Sequence, residues 1–181
     1  MQGGSGKTPV WWAATPDPSG RHSVLPPPSH EPSLQVLTSL EEFRRATRRA
    51  FDQSQRLVSV LADQLDPALY DDPAVLESAK RFLISRRYSR LRVLLRRPPR
   101  LMGRAGRFVG MARRLTANVE FRTVPASEIA DATQYLIGDD SVIVYQVRNG
   151  AWDGVAGYDA PTKLRICLAQ FDRLWTCQPP V

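Results

Sequence analysis

Two short apolar runs, Leu57-Val58-Ser59-Val60-Leu61 and Leu91-Arg92-Val93-Leu94-Leu95, flank a single amphipathic stretch, and this arrangement constrains the fold more than any other feature of the chain. Each run is too short for a helix and bounded by polar residues, so each reads as a buried strand. The stretch between them opens at Asp72-Pro73, an N-cap followed by proline at the first helical position. It then repeats Val75, Ala79, Phe82 and Leu83 at helical spacing. A strand, a helix and a strand in that order predict two parallel strands joined by a right-handed crossover.

The rest of the sequence extends this unit. Ser39-Leu40-Glu41-Glu42 has capping-box spacing, which starts a helix running to about Gln55. Ala62-Asp63-Gln64-Leu65-Asp66-Pro67 reads as a polar loop after the first strand. A helix is predicted over Leu101–Leu115 and a third strand over Asn118–Val124. Gln134–Ile137 and Val142–Tyr145 surround Gly138-Asp139-Asp140-Ser141, a hairpin signal. Asn149-Gly150 turns the chain toward a last strand near Val155–Tyr158. Leu164, Cys167, Leu168, Phe171, Leu174 and Trp175 give the final helix its apolar face. The predicted class is α/β, with a mixed, mostly parallel sheet flanked by helices on both faces.

The predicted domain covers residues 37–176. Residues 1–36 hold seven of the fifteen prolines and little apolar periodicity, and read as a disordered Pro-rich tail. Residues 177–181 form a short C-terminal tail that contains Cys177. Gly3-Gly4-Ser5-Gly6-Lys7-Thr8 imitates the end of a phosphate-binding loop. Met1 stands where the first glycine of that pattern belongs, no strand precedes it, and Pro9 interrupts the helix that should follow. The histidines are His22 and His30, both in the tail, and the cysteines Cys167 and Cys177 have no zinc spacing. No metal or cofactor is expected. Cys167 falls on the apolar face of the last helix and is expected to pack as a small hydrophobe. With no signal pattern and no apolar run near 18 residues, a cytoplasmic bacterial protein is the expectation.

Charge is the second informative feature. Between Lys80 and Arg114 the chain carries thirteen basic side chains, twelve of them arginine, and no Asp or Glu. That block supplies most of the +7 formal charge and points to an anionic partner. Arg92 falls within a predicted buried strand, and Arg86 and Arg87 end a helix where cations suit the dipole. Arg96 and Arg97 come at the C-terminal end of the second strand, the edge where open α/β sheets bind ligands. Arg100, Arg104, Arg107 and Arg114 share one side of the predicted helix, with Gly103, Gly106 and Gly110 along its flank. Asp66 follows the first strand on the same rim, with Tyr70 about one turn later, so Asp66, Tyr70 and Arg96 are expected to converge.

The element order and the hairpin resemble one half of the phospholipase D superfamily. Active members begin the hairpin strand with His-x-Lys, followed by an Asp seven residues after the His. In Ala132-Thr133-Gln134-Tyr135-Leu136-Ile137-Gly138-Asp139, Asp139 matches the acid, while Ala132 replaces the His and Gln134 the Lys. Alanine cannot attack phosphorus, and a neutral amide offers no charge to a phosphoryl oxyanion. The run Leu65-Asp66-Pro67-Ala68-Leu69-Tyr70-Asp71 resembles a motif of an uncharacterised proteobacterial family of degenerate phospholipase D-like domains, some of which occur beside acetyltransferases. The resemblance implies a single half domain, and with it a two-fold homodimer.

The expectation is a non-catalytic module that binds nucleic acid or a phosphorylated ligand through Arg96, Arg97, Arg100, Arg104 and Arg107, with Asp66, Tyr70 and Asp139 in the same cleft. Two alternatives stand beside it. One is an interaction protein whose basic helix docks on an acidic partner, such as an acetyltransferase. The other is a hydrolase or phosphodiesterase using Asp66, Asp139 or Asp159 in place of the lost pair.

Overall fold

A seven-stranded sheet in the order β1-β7-β6-β5-β2-β3-β4 runs through the whole domain. The structure is a computed structural model and describes residues 33–97, 106–125, 128, 133–148, 150–158 and 161–179. Its elements are β1 (Ser33–Leu37), α1 (Leu40–Gln53), β2 (Leu57–Ala62), α2 (Pro67–Tyr70), α3 (Pro73–Ser85) and β3 (Arg90–Leu95). They continue with α4 (Arg107–Arg114), β4 (Val119–Thr123), β5 (Gln134–Gly138), β6 (Val142–Gln146), β7 (Gly154–Tyr158) and α5 (Pro161–Cys177).

The α/β class and the mixed sheet follow the sequence. β2, β3 and β4 pair in parallel through the α3 and α4 crossovers. The hairpin of β5 and β6 docks antiparallel on β2, and β7 and β1 complete that side, also antiparallel. The parallel part is therefore smaller than expected: it stops at β2, because a three-residue hairpin turn and an edge strand, not crossover helices, build the other half.

Strand alternation divides the core in two. Val58, Val60, Val93, Leu136 and Val144 face a layer formed by α1 to α4 and anchored by Phe43, Phe51, Phe82 and Phe108. Leu61, Leu94, Tyr135, Ile137 and Ile143 face α5 through Leu164, Cys167, Phe171 and Leu174. Helices thus cover both faces. Cys167 is buried as expected, and burial raises its thiol pKa against the lowering effect of Lys163.

Local signals explain the helix starts. The Ser39 hydroxyl accepts from the Glu42 N–H at 3.3 Å, and the Glu42 carboxylate reaches back to the Thr38 N–H at 2.7 Å. Those bonds with Thr38 hold the Glu42 carboxyl below its usual pKa. Asp72 caps α3 through the Ala74 and Val75 N–H groups.

Four sequence expectations need correction. Ser33–Leu37 is a strand, so the boundary placed at residue 36 cuts through β1. Leu34 and Val36 remain 64% and 65% exposed, so backbone pairing with β7, rather than an apolar face, makes this strand, and backbone pairing leaves little trace in composition. The loop after β2 contains the one-turn helix α2, capped by Asp66 through the Ala68 N–H at 2.8 Å. The helix expected from Leu101 begins at Arg107, because Gly106 is extended with ψ 163. Cys177 is the last residue of α5 and not part of a tail.

The two glycines of α4 behave differently. A Cβ on Gly106 would collide with the Asp71 carboxylate, which accepts the Phe108 N–H at 2.9 Å and so caps α4 from a distance. A Cβ on Gly110 would meet nothing within 4 Å among the described residues. Gly110→Ala should therefore raise the unfolding free energy by about 0.5–1 kcal/mol through helix propensity alone. Urea denaturation with an unchanged m-value checks this.

Candidate functional site

The parallel strands end at one rim of the sheet, and the chain returns to that rim repeatedly. Ala62 and Leu95 end β2 and β3, β5 starts there at Gln134, and β6 leaves there at Gln146, opposite Gln134. A small pocket opens between this rim and α1. Thr47, Gln64, Asp66, Tyr70, Gln134 and Gln146 supply its polar wall, and Phe43, Leu69 and Trp152 its apolar one. Trp152 is held by Phe43, with ring centroids 5.5 Å apart.

Asp66, Tyr70 and Gln134, all singled out in the sequence, meet in this pocket. Tyr70 is buried edge-on against Phe108 at 5.3 Å. Burial, followed by the Asp66 charge, pushes its phenol far above the usual range, so it stays a protonated donor. The pocket volume is about 40 Å³, little more than the roughly 30 Å³ share of one water. Its only charged wall residue is Asp66, so a phosphate would be repelled from its interior.

The cations lie beside the pocket. The Arg96 N–H donates to the Ala62 carbonyl at the end of β2 at 3.1 Å, and the Arg97 N–H donates to the Asp63 carbonyl at 3.1 Å. These bonds carry the parallel pairing past Leu95. The Arg96 guanidinium donates to the Thr133 carbonyl at 2.7 Å, which ties the end of β3 to the residue before β5. Asp66 thus caps α2 and Arg96 braces the strand ends. Arg97 pairs with Asp63 at 3.2 Å while staying 62% exposed. Arg107, also exposed, occupies the first position of α4, whose N-terminus points to the same rim. Arg100, Arg104, Ala132 and Asp159 lie outside the described residues. α4 starts after Gly106, and of the arginine face expected from Arg100 to Arg114 the described members Arg107 and Arg114 share one side of it.

Asp139 does not join the cleft. It stands at the other end of β5, roughly 17 Å from Gln134 at about 3.4 Å per residue. There its carboxylate accepts the N–H groups of Gln55, Arg56 and Leu57 at 2.8, 3.0 and 2.9 Å. Its own N–H donates to the Leu57 carbonyl at 2.7 Å, and its φ of 49° makes the hairpin turn. A carboxylate spent on three backbone donors belongs to the fold, and Asp66 and Asp139 cannot share a metal or a substrate across that distance. Among the described residues no three His, Cys, Asp or Glu side chains gather where a metal could be held.

Sequence reasoning missed Thr47, Gln64, Gln146 and Trp152. Thr47 had a readable signal: it is the one polar residue on the buried stripe of α1, between Ala46 and Ala50. Gln146 and Trp152 had none, since only the docking of the hairpin against β2 brings them to the rim.

The chain belongs to the family of the domain of unknown function DUF7931, whose model matches residues 39–180. No curated protein matches the sequence. Several solved structures share its fold. Nuc from Salmonella typhimurium, a phospholipase D family member, superposes with a TM-score of 0.58 at 15% identity, covering 83% of this chain and 99% of that one. NucT from Helicobacter pylori gives 0.54 at 9% identity, covering 82% and 98%. TrmBL2, an archaeal chromatin protein whose structure shows a novel mode of DNA binding, gives 0.58 at 11% identity. The match covers 82% of this chain and 54% of TrmBL2, so this chain spans about half of that protein's length. The phospholipase D-like fold expected from the hairpin is thus present.

Because Asp139 carries three charge-assisted bonds in a partly exposed turn, Asp139→Ala should lower stability by about 2–4 kcal/mol. Asp139→Asn should cost less, since Asn tolerates the left-handed turn and keeps one acceptor. Equilibrium urea unfolding of the two variants separates these outcomes.

Proposed function

We propose that this DUF7931 domain is a non-catalytic phospholipase D-like module that binds the phosphate backbone of nucleic acid along the segment Arg96 to Arg107. The observation that carries this reading is the composition and position of that segment. It holds Arg96, Arg97, Arg100, Arg104 and Arg107 without a single acid, and it leaves the sheet at the C-terminal end of β3. Ligands of open α/β sheets gather at such ends.

The described arginines are available in a graded way. Arg96 is committed to the Thr133 carbonyl and positions the rim. Arg97 is held by one exposed ion pair, and pairs of that kind contribute only about 0–1 kcal/mol, so a phosphate competes easily with Asp63. Arg107 sits at the positive end of the α4 dipole, an unfavourable place for a cation, and gains most from an arriving anion. The TrmBL2 fold match supports nucleic acid over a small phosphorylated ligand, as does a pocket too small and too acidic for a phosphomonoester.

Chemistry is set aside on the residues themselves. Ala132 and Gln134 occupy the positions that would carry the nucleophile and the phosphate-holding cation. Tyr70 is held protonated by burial and is no substitute nucleophile.

Binding of a fluorescein-labelled duplex DNA to the full chain, followed by anisotropy, tests the reading. Engagement of roughly three to five phosphates predicts a slope of log K against log salt of about −3 to −5. Arg97→Glu together with Arg107→Glu should weaken binding by at least about tenfold and flatten that slope. An affinity indifferent to salt, or one unaltered by the double replacement, would contradict the proposal. The labelled strand should remain uncut in every case.

A further inference from the structure

α3 and α4 leave a groove of about 560 Å³ between them. It runs from Pro73 and Gly106 at the rim end to Ile84 and Leu115 at the other. Its floor is apolar: Leu76, Met111 and Leu115 are only half-buried, and Ile84 is 60% exposed. Gly110 removes a side chain from the α4 wall, at a position where a Cβ would touch none of the described residues. Packing within the domain therefore does not account for this glycine.

The walls carry Lys80, Arg107 and Arg114 against one acid, Glu77. Several arginines elsewhere on the molecule are paired: Arg44 with Glu41 and Asp72, Arg81 with Asp52, Arg92 with Asp172, Arg97 with Asp63 and Arg122 with Glu120. Lys80, Arg107 and Arg114 have no ion-pair partner among the described residues. The groove thus combines exposed apolar surface with an excess of positive charge, three cations against one acid, concentrated on the α4 edge.

We infer that the α3–α4 groove is a docking site for an acidic amphipathic peptide of a partner protein, its apolar side chains on Leu76, Ile84 and Met111 and its carboxylates on Lys80, Arg107 and Arg114. Helix-in-groove recognition has this pattern, with apolar anchors below and complementary charge at the margins. The bare Gly110 wall lets the backbone of the guest approach α4. A nucleic-acid backbone suits the site less well, since it would leave the apolar floor uncovered. The charge of residues 1–32, with Lys7 and Arg21 against Asp17 and Glu31, is balanced and offers no complementarity. α3 is thirteen residues long, roughly 20 Å, which sets the length of guest the groove can hold.

The site is distinct from the nucleic-acid reading except for Arg107, and the test keeps them apart. The probe is a labelled Leu/Glu amphipathic peptide of about 16 residues, roughly 24 Å as a helix, with a Leu/Lys peptide of the same pattern as control. Titrated into the ¹⁵N-labelled full chain, the acidic peptide should saturate and shift the amides of α3 and α4, while the Lys version should not. Ile84→Glu and Gly110→Leu should each weaken it by at least about tenfold, with helical content by circular dichroism unchanged. Arg97→Glu should leave peptide binding intact while weakening DNA binding. The inference fails if the acidic peptide does not bind the folded chain or shifts residues outside α3 and α4. It fails if Trp11→Ala with Trp12→Ala moves the groove amides without peptide, which would make the chain's own N-terminal segment the occupant. It also fails if light scattering gives a dimer that Ile84→Glu dissociates, or if duplex DNA displaces the peptide in the Arg97→Glu chain.

Discussion

The Asp139 carboxylate fixes the junction on which the domain depends. β2 is where the parallel half of the sheet meets the antiparallel half, and the contact between β2 and β5 must form in one register. Asp139 imposes it by accepting three successive N–H groups that lead into β2 and by returning its own N–H to Leu57. Gly138, beside it, pairs opposite Val58 and lies so close to the Ser54 hydroxyl that no side chain fits. A slip of one residue would reverse every side chain of β5, sending Tyr135 and Ile137 into the α1 layer and Leu136 toward α5. The two cores would then each lose their partner.

The same register delivers the rim. With Gly138 opposite Val58, Tyr135 falls opposite Leu61, and Gln134 arrives beside the end of β2. Arg96 completes the alignment by bonding the Thr133 carbonyl across β2. Of the residues that could have made a single cleft, Asp66, Tyr70 and Gln134 gather because the α2 turn that follows β2 and the start of β5 lie at one edge. Asp139 separates from them because a five-residue strand places its two ends at opposite edges of the sheet.

How much of this was legible depends on what kind of interaction carried it. The capping box at Ser39, the Asp72-Pro73 start and the apolar runs of β2 and β3 are local signals, each written within four or five neighbouring residues, and each has its element. The alternation of β5 and β6 around Gly138-Asp139 gave the hairpin and, with it, the fold family. β1 escaped because Leu34 and Val36 face solvent and its stability comes from backbone bonds to β7, a segment more than a hundred residues away. The start of α4 escaped because the arginine and leucine pattern continues smoothly across Gly106. The break is imposed by Asp71, which occupies the space a side chain would need and caps the helix from another part of the chain. The role of Asp139 escaped for a similar reason: its three donors come from the segment before β2, so its sequence neighbours suggest only a turn.

The arginine block, uniform in sequence, includes three populations among the described residues, with different physical consequences. Arg92 is internal: it pairs with Asp172, bonds Ser59 and lies over the Phe171 and Trp175 rings, so its charge is spent on joining β3 to α5. Arg81 and Arg97 are exposed and paired, so their charges are screened but exchangeable. Lys80, Arg107 and Arg114 face outward around one groove, with Glu77 the only acid on its walls. Net charge therefore overstates the first population and hides the third. A basic surface kept only for solubility has no reason to leave its uncompensated cations around exposed apolar side chains, where desolvation by any guest makes each charge more demanding. Apolar floor and unpaired cations in one place lower the cost for a guest that brings both acids and hydrophobes, and raise it for a guest that brings only one of them.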